Sequence, residues 1–271
     1  MGDVIATRPL LVIVTLASIG AGPTDALSRA RQSYNRREYD AAIVAATEAR
    51  RAPNLADAAT LVLARAHLER FRQSANPADL TAARDELQQI QPARLAPADA
   101  VELIIGLGES LYLDDRAGAA AEEFDLALGH LNPGNPGVRE RVLDWWASAL
   151  DRQATLGPES ERRALYGRIV NKMEEELRRD AGSAAASYWL TAGARGAGDL
   201  ERAWGAAIPG WVCASMAGDR RAALRTDLDR IVSQAIIPER ARQTSLSGEV
   251  AQAAAAMRGE WETLKQTWTD R

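Results

Sequence analysis

The chain has 271 residues, 46% of them hydrophobic but only 5% aromatic, so alanine and leucine supply the apolar content and favour closely packed helices. Its formal net charge of −4 leaves no electrostatic footprint for nucleic acid. A single cysteine, Cys213, and two isolated histidines, His67 and His130, exclude an intramolecular disulfide or multi-cysteine metal site and make a poor inventory for acid–base chemistry.

Residues 1–26 read as a secretory signal. Arg8 precedes an apolar run, Pro9–Gly22, and small Thr24 and Ala26 suit the −3 and −1 places of a cleavage site. The run is too short to span a bilayer, which takes about 20 apolar residues. Leu27 then begins the mature chain, which is expected in the periplasm or secreted, without a membrane span; the cleavage point has no lipoprotein cysteine.

Residues 27–53 carry Ala30, Tyr34, Tyr39, Ala42, Ile43, Ala46 and Ala49 at helical spacing, with Pro53 closing the unit. Over 54–92, Leu61, Ala64 and Leu68 mark one helix, and Leu80, Ala83, Leu87 and Ile90 mark another. The turn cluster Ser74-Ala75-Asn76-Pro77 separates them. Residues 102–133 give two helical patterns hinged at Asp115–Gly118, with a stop at Asn132–Pro133.

This third unit resembles the tetratricopeptide repeat (TPR), a two-helix unit whose pattern runs Leu-Gly, an aromatic or Leu, then Ala, aromatic, Ala and Pro. Leu107, Gly108, Leu111, Ala120, Phe124, Ala127 and Pro133 stand at or within one residue of those places. Tyr39-Asp40-Ala41-Ala42-Ile43 follows the opening of the repeat's second helix. The resemblance is good over 27–53 and 102–133, loose over 54–92 and 183–208, and unsupported over 138–180 and 219–271.

Asn132–Gly137 is rich in Pro and Gly, and composition shifts there: all seven tryptophans follow it. The expected organisation is therefore a signal (1–26), TPR-like repeats (27–133) and a divergent Trp-rich helical part (138–271). Within the last part the pattern predicts helices over Arg139–Gln153, Glu159–Arg179 and Asp219–Ile236, the last ended by Pro238. Gly193–Gly198 reads as a hinge, and Pro209 predicts a kink or early stop. Val250, Ala254, Met257, Trp261, Leu264 and Trp268 form an apolar seam on a final helix over Ser247–Thr269. It reads as a cap on the preceding helices; docking on a partner is the alternative.

HExxH, GxSxG, CxxC and phosphate-loop motifs are absent. Carboxylates in Glu122-Glu123 and Glu174-Glu175-Glu176 fall on patterned helices near arginines, as solvated faces do. No catalytic residue, metal ligand or cofactor is assigned. Of 33 basic residues only Lys172 and Lys265 are lysine, an imbalance read here as composition bias. Adjacent helical residues point about 100° apart, so one ring of Trp145-Trp146 and one of Tyr188-Trp189 is expected in a groove or at the surface.

The resemblance implies an all-α, right-handed superhelix with a C-terminal capping helix and a concave groove lined by each unit's first helix. On that pattern Arg31, Tyr34, Arg65, Glu109, Tyr112, Trp146 and Trp189 face the groove. The function it implies is a scaffold, not an enzyme, holding a protein or peptide partner within an envelope assembly or trafficking complex. A small-ligand subunit accompanying a solute transporter, with a Trp-lined cavity, is the alternative reading. An enzyme on a helical toroid is disfavoured by the sparse His and Cys.

Overall fold

The computed structural model describes residues 22–132, 134–215 and 221–269, and these are all-helical, with no strand among them. Helices pack in sequence order as antiparallel pairs: α1 (Pro23–Asn35) with α2 (Tyr39–Ala49), α3 (Ala56–Ser74) with α4 (Pro77–Gln89), and α5 (Pro97–Leu113) with α6 (Ala117–His130). The pairing continues with α7 (Pro136–Leu156) and α8 (Glu159–Arg179), then α9 (Ala184–Ala197) and α10 (Leu200–Ala214). Each pair also stacks on the next, the arrangement of an α-helical solenoid. No helix among the described residues is long and apolar enough to cross a membrane.

A shared turn geometry underlies the repetition. Arg37, Asp115 and Gly198 each adopt a left-handed backbone (φ 63°, 61° and 86°) at the corner of a pair. In all three turns the following N–H reaches back five residues, from Glu38 to Ser33 O, Arg116 to Leu111 O and Asp199 to Ala194 O, each at 2.9 Å. This Schellman closure satisfies the orphan carbonyls of the first helix and turns the chain sharply. The sequence hinge at Asp115 is therefore a defined corner. The α7–α8 corner differs: Gly157 and Pro158 are extended, and Pro158 caps the Glu159–Arg179 helix.

Prolines open α4, α5 and α7 at their first turns, where a missing N–H costs nothing. Two others do not stop their helices. Helix α10 runs through Pro209 without stopping; both Pro209 and Gly205, whose carbonyl loses its partner, face solvent, so water can replace the bond. Pro238 does not end its helix either. Helix α11 (Arg221–Ile231) passes through a π turn, Val232–Ile236, into α12 (Ile237–Thr244). The wider turn bonds Ile237 N–H to Val232 O and makes room for the ring one residue on.

Gly193 and Gly196 also depart from the hinge reading, because both lie inside α9. A β-carbon on Gly196 would sit 2.5 Å from the Tyr166 ring, and one on Gly193 2.9 Å from Ile169. These glycines let α9 press against α8. Gly108 does the same in α5, where a β-carbon would fall 2.7 Å from Phe124. The expected Leu-Gly and aromatic positions thus meet in space.

The largest core runs from Ile105 and Phe124 through Leu143, Trp146 and Leu150 to Ile169, Met173 and Trp189. It crosses the Asn132–Gly137 stretch, since buried residues of α6, which ends at His130, and of α7, which begins at Pro136, share it. A second core gathers Trp211, Leu228, Ile236, Ile237 and Ala241 under α13 (Val250–Thr269). Ala254 and Trp261 of the seam are buried there, with Val250, Met257, Leu264 and Trp268 packed around them, so α13 covers the preceding helices. Most of the predicted signal, residues 1–21, lies outside the described residues. The predicted cut after Ala26 falls in the first turn of α1, where Ala26 is buried with Leu27, Ala49 and Ala59.

Candidate functional site

The first helices of successive pairs, α1, α3, α5, α7 and α9, carry the sequence-predicted residues. Arg31, Tyr34 and Arg65 come together in a cleft of about 180 Å³ that Asp99, Glu102, Leu61 and Val62 also line. Arg31 Nη2 pairs with Asp99 Oδ2 at 2.8 Å, tying α1 to α5. The Arg65 guanidinium lies over the Tyr34 ring at 5.0 Å and pairs with Glu102. Burial, opposed by Arg65, raises the Tyr34 phenol well above its ordinary range, so it stays protonated as a donor.

Tyr112 and Trp189 meet at a second, more open cleft of about 630 Å³ between α5, α7 and α9. The Arg152 guanidinium stands over Tyr112 at 5.5 Å and pairs with Asp115. Asp151 accepts from the Tyr166 hydroxyl at 2.8 Å, and Trp189 Nε1 donates to Asp144 at 2.8 Å.

Glu109 and Trp146 do not line either cleft. Trp146 is 1% exposed inside the main core, because it continues the Leu143–Leu150 face of α7 that packs on α8 and α9. Its neighbour Trp145, turned about 100° away, is the half-buried ring of the pair. Glu109 is 2% exposed, and its Oε1 has no hydrogen-bond partner. Burial raises its carboxyl pKa, while Arg72 and Arg65 pull the other way. Of the tryptophans expected to enclose a ligand, Trp146 is packed in the core and Trp204 lies 6.3 Å from the Trp261 ring, while Trp189 lines the second cleft.

Two residues that the sequence does not single out, Arg72 and Arg152, belong to this face, and Arg152 lines the second cleft. Arg72 of α3 approaches Glu109 Oε2 of α5 at 3.2 Å and lies over the Trp145 ring of α7 at 4.7 Å. One side chain therefore touches two successive first helices beyond its own. Arg72 was legible as the position two turns after Arg65, on the same helical face. Arg152 had no comparable signal.

A common motif emerges: Arg65 with Tyr34 and Glu102, Arg72 with Trp145 and Glu109, and Arg152 with Tyr112 and Asp115. Each guanidinium covers an aromatic face and pairs with a carboxylate, which a planar fork can do and an ammonium does less well. The arginine richness thus has structural use, beyond composition. No group of three or more His, Cys, Asp or Glu residues suited to a metal ion occurs among the described residues. Compared with known proteins, no family model matches the chain, and neither a curated protein nor a solved structure matches it.

Proposed function

We propose that this protein is a TPR-like, right-handed superhelical scaffold, not an enzyme, that holds a protein or peptide segment against its first-helix face. The observation that carries this reading is the reach of Arg72 from α3 across α5 to Trp145 on α7. Neighbouring helix axes lie about 8–10 Å apart, so in a flat row α3 and α7 would be roughly 16–20 Å apart. An arginine and a tryptophan close that distance readily when the row curves towards them. We place the first-helix side on the inside of the curve, with clefts and aromatic faces for a partner to cover.

The aromatic and arginine side chains on this face are those that most often anchor interfaces. We place the protein in the envelope, exported by the signal in residues 1–26, and working within an assembly or trafficking complex. Because Ala26 is part of the folded core, a mature chain that begins upstream of Pro23 would keep α1 whole. Mass spectrometry of the mature N-terminus tests export; an intact residue 1 on protein recovered from cells removes it.

The groove assignment is tested by recovery of partners from envelope extracts with the native chain and with Tyr34→Ala plus Tyr112→Ala. Loss of the same partners from the variant supports it. Equal recovery of every partner removes it.

A further inference from the structure

We infer that the α5–α7–α9 cleft is a seat for a basic side chain of the partner next to an apolar one, and that Arg152 occupies the cationic place in the empty protein. This deepens the groove reading and rests on it. Tyr112, Leu156 and Trp189 give the cleft its apolar surface. Leu156 is 80% exposed, an unusual state for a leucine at the edge of a cleft. Asp115 and Asp151 add two carboxylates, against which the only cation in the lining is Arg152. The lining is therefore acidic and apolar, and its charge complement is a cation beside an aliphatic group.

The contacts of Arg152 show how that cation would sit. Its guanidinium lies over Tyr112 and pairs with Asp115, whose side chain is 75% exposed. Arg152 itself is 43% exposed, so the pair is a solvated one that contributes little to stability and exchanges readily. The two buried counterparts differ: Arg72 holds the sealed Glu109, and Arg65 is largely covered. Of these three, only the Tyr112 site has both its cation and its carboxylate open to replacement. A guanidinium or ammonium from a partner can take the same stacking face and the same carboxylate while its apolar neighbour covers Leu156. Arg152 then swings out into water.

The test uses the full chain and three fluorescein-labelled ten-residue peptides, identical Gly/Ser sequences except for a central Leu-Arg, Leu-Glu or Ser-Arg, with binding read by anisotropy. The Leu-Arg peptide is expected to bind at least fivefold more tightly than either of the others. Arg152→Gln should tighten Leu-Arg binding by about fivefold by removing the competing cation, and Asp115→Asn should weaken it by a similar factor. Both side chains are exposed, so circular dichroism should show native helix content in each variant. The inference is overturned if Leu-Glu binds as well as Leu-Arg, if Arg152→Gln binds no more tightly, or if neither protein binds Leu-Arg at millimolar peptide. Partners lost on substitution of Tyr34 and Tyr112, together with any of those outcomes, would remove this inference and leave the groove reading intact. Partners retained in that experiment remove the groove reading itself.

Discussion

Arg72 lies over the ring of Trp145 at 4.7 Å although a whole helix, α5, separates the helices that carry them. Between them Glu109 is sealed at 2% exposure, with Arg72 Nη2 3.2 Å from its Oε2. Through Arg72 the three side chains link α3, α5 and α7. Removing Arg72 leaves a carboxylate buried without its cation, the costly way to break such a pair. Arg72→Ala should therefore destabilise the fold by about 3 kcal/mol in urea unfolding. Glu109→Gln should stay within about 1 kcal/mol of native, because the buried carboxyl already lacks a partner for Oε1. Adding Glu109→Gln to Arg72→Ala should recover much of the loss; strict additivity would show that the two do not interact.

Glu86 makes the stability depend on pH. Burial between α3 and α4 pushes its carboxyl up to about 7 from the usual 4.5, with Arg50 opposing and Asp85 adding to the rise. Its Oε1 lies 3.7 Å from His67 Nε2, and its Oε2 has no partner. The folded state thus holds this proton more tightly than the unfolded chain does. Stability from Glu86 is fully present below about 4.5 and is lost as pH rises through about 7. Asp79 acts in the opposite sense: Arg70 and His67 overcome its burial and hold it below 3.8, so its contribution disappears in acid. Glu86→Gln should flatten the fall in unfolding free energy between pH 4.5 and 7 without altering the acid limb. An unchanged slope would show that Glu86 is solvated.

The interior glycines should differ in sign. Gly196→Ala and Gly108→Ala drive a methyl into Tyr166 and Phe124, and each should cost about 1–3 kcal/mol as helix pairs move apart. Gly167 of α8 has open space where its β-carbon would be, so Gly167→Ala should add about 0.5–1 kcal/mol through helix propensity alone. Thermal unfolding of the three variants gives the comparison. Destabilisation by Gly167→Ala would contradict the packing described for α8.

Helical spacing made the α-helical solenoid and several boundaries legible, including the full extent of Glu159–Arg179. The repeat pattern placed Arg31, Tyr34, Arg65, Tyr112 and Trp189 on one face, and these residues line the two clefts. It could not show depth. Glu109 shares the face of Tyr112 by rotation along α5, yet it is buried and paired with Arg72 of another helix. For the Trp145-Trp146 pair the information was present, since Trp146 continues the face of Leu143 and Leu150 and Trp145 does not. Pro238 was misread because a π turn, which leaves no mark in apolar spacing, lets the helix pass it. The cation–aromatic–carboxylate motif joins residues up to 73 positions apart, from Arg72 to Trp145, and only folding brings these together.

Helix α13 offers a test of cap against docking arm. Trp261 is 1% exposed against Trp204 and Trp211, and its Nε1 donates to Asp229 at 2.7 Å, where Lys265 also pairs at 2.8 Å. Trp261→Ala should cost about 3–5 kcal/mol, the usual penalty for emptying a buried aromatic site. A partner-docking arm would tolerate the change with a loss below about 1 kcal/mol.

Site-specific photo-crosslinking in living cells distinguishes a partner held on the first-helix face from one bound elsewhere. A benzophenone amino acid placed at Tyr112, in the cleft, is compared with one at Leu126, 49% exposed on α6 of the second-helix layer. Discrete crosslinked products from position 112, absent from position 126 and lost on Tyr34→Ala, are the predicted result. Products of equal yield from both positions, or from 126 alone, would contradict the account.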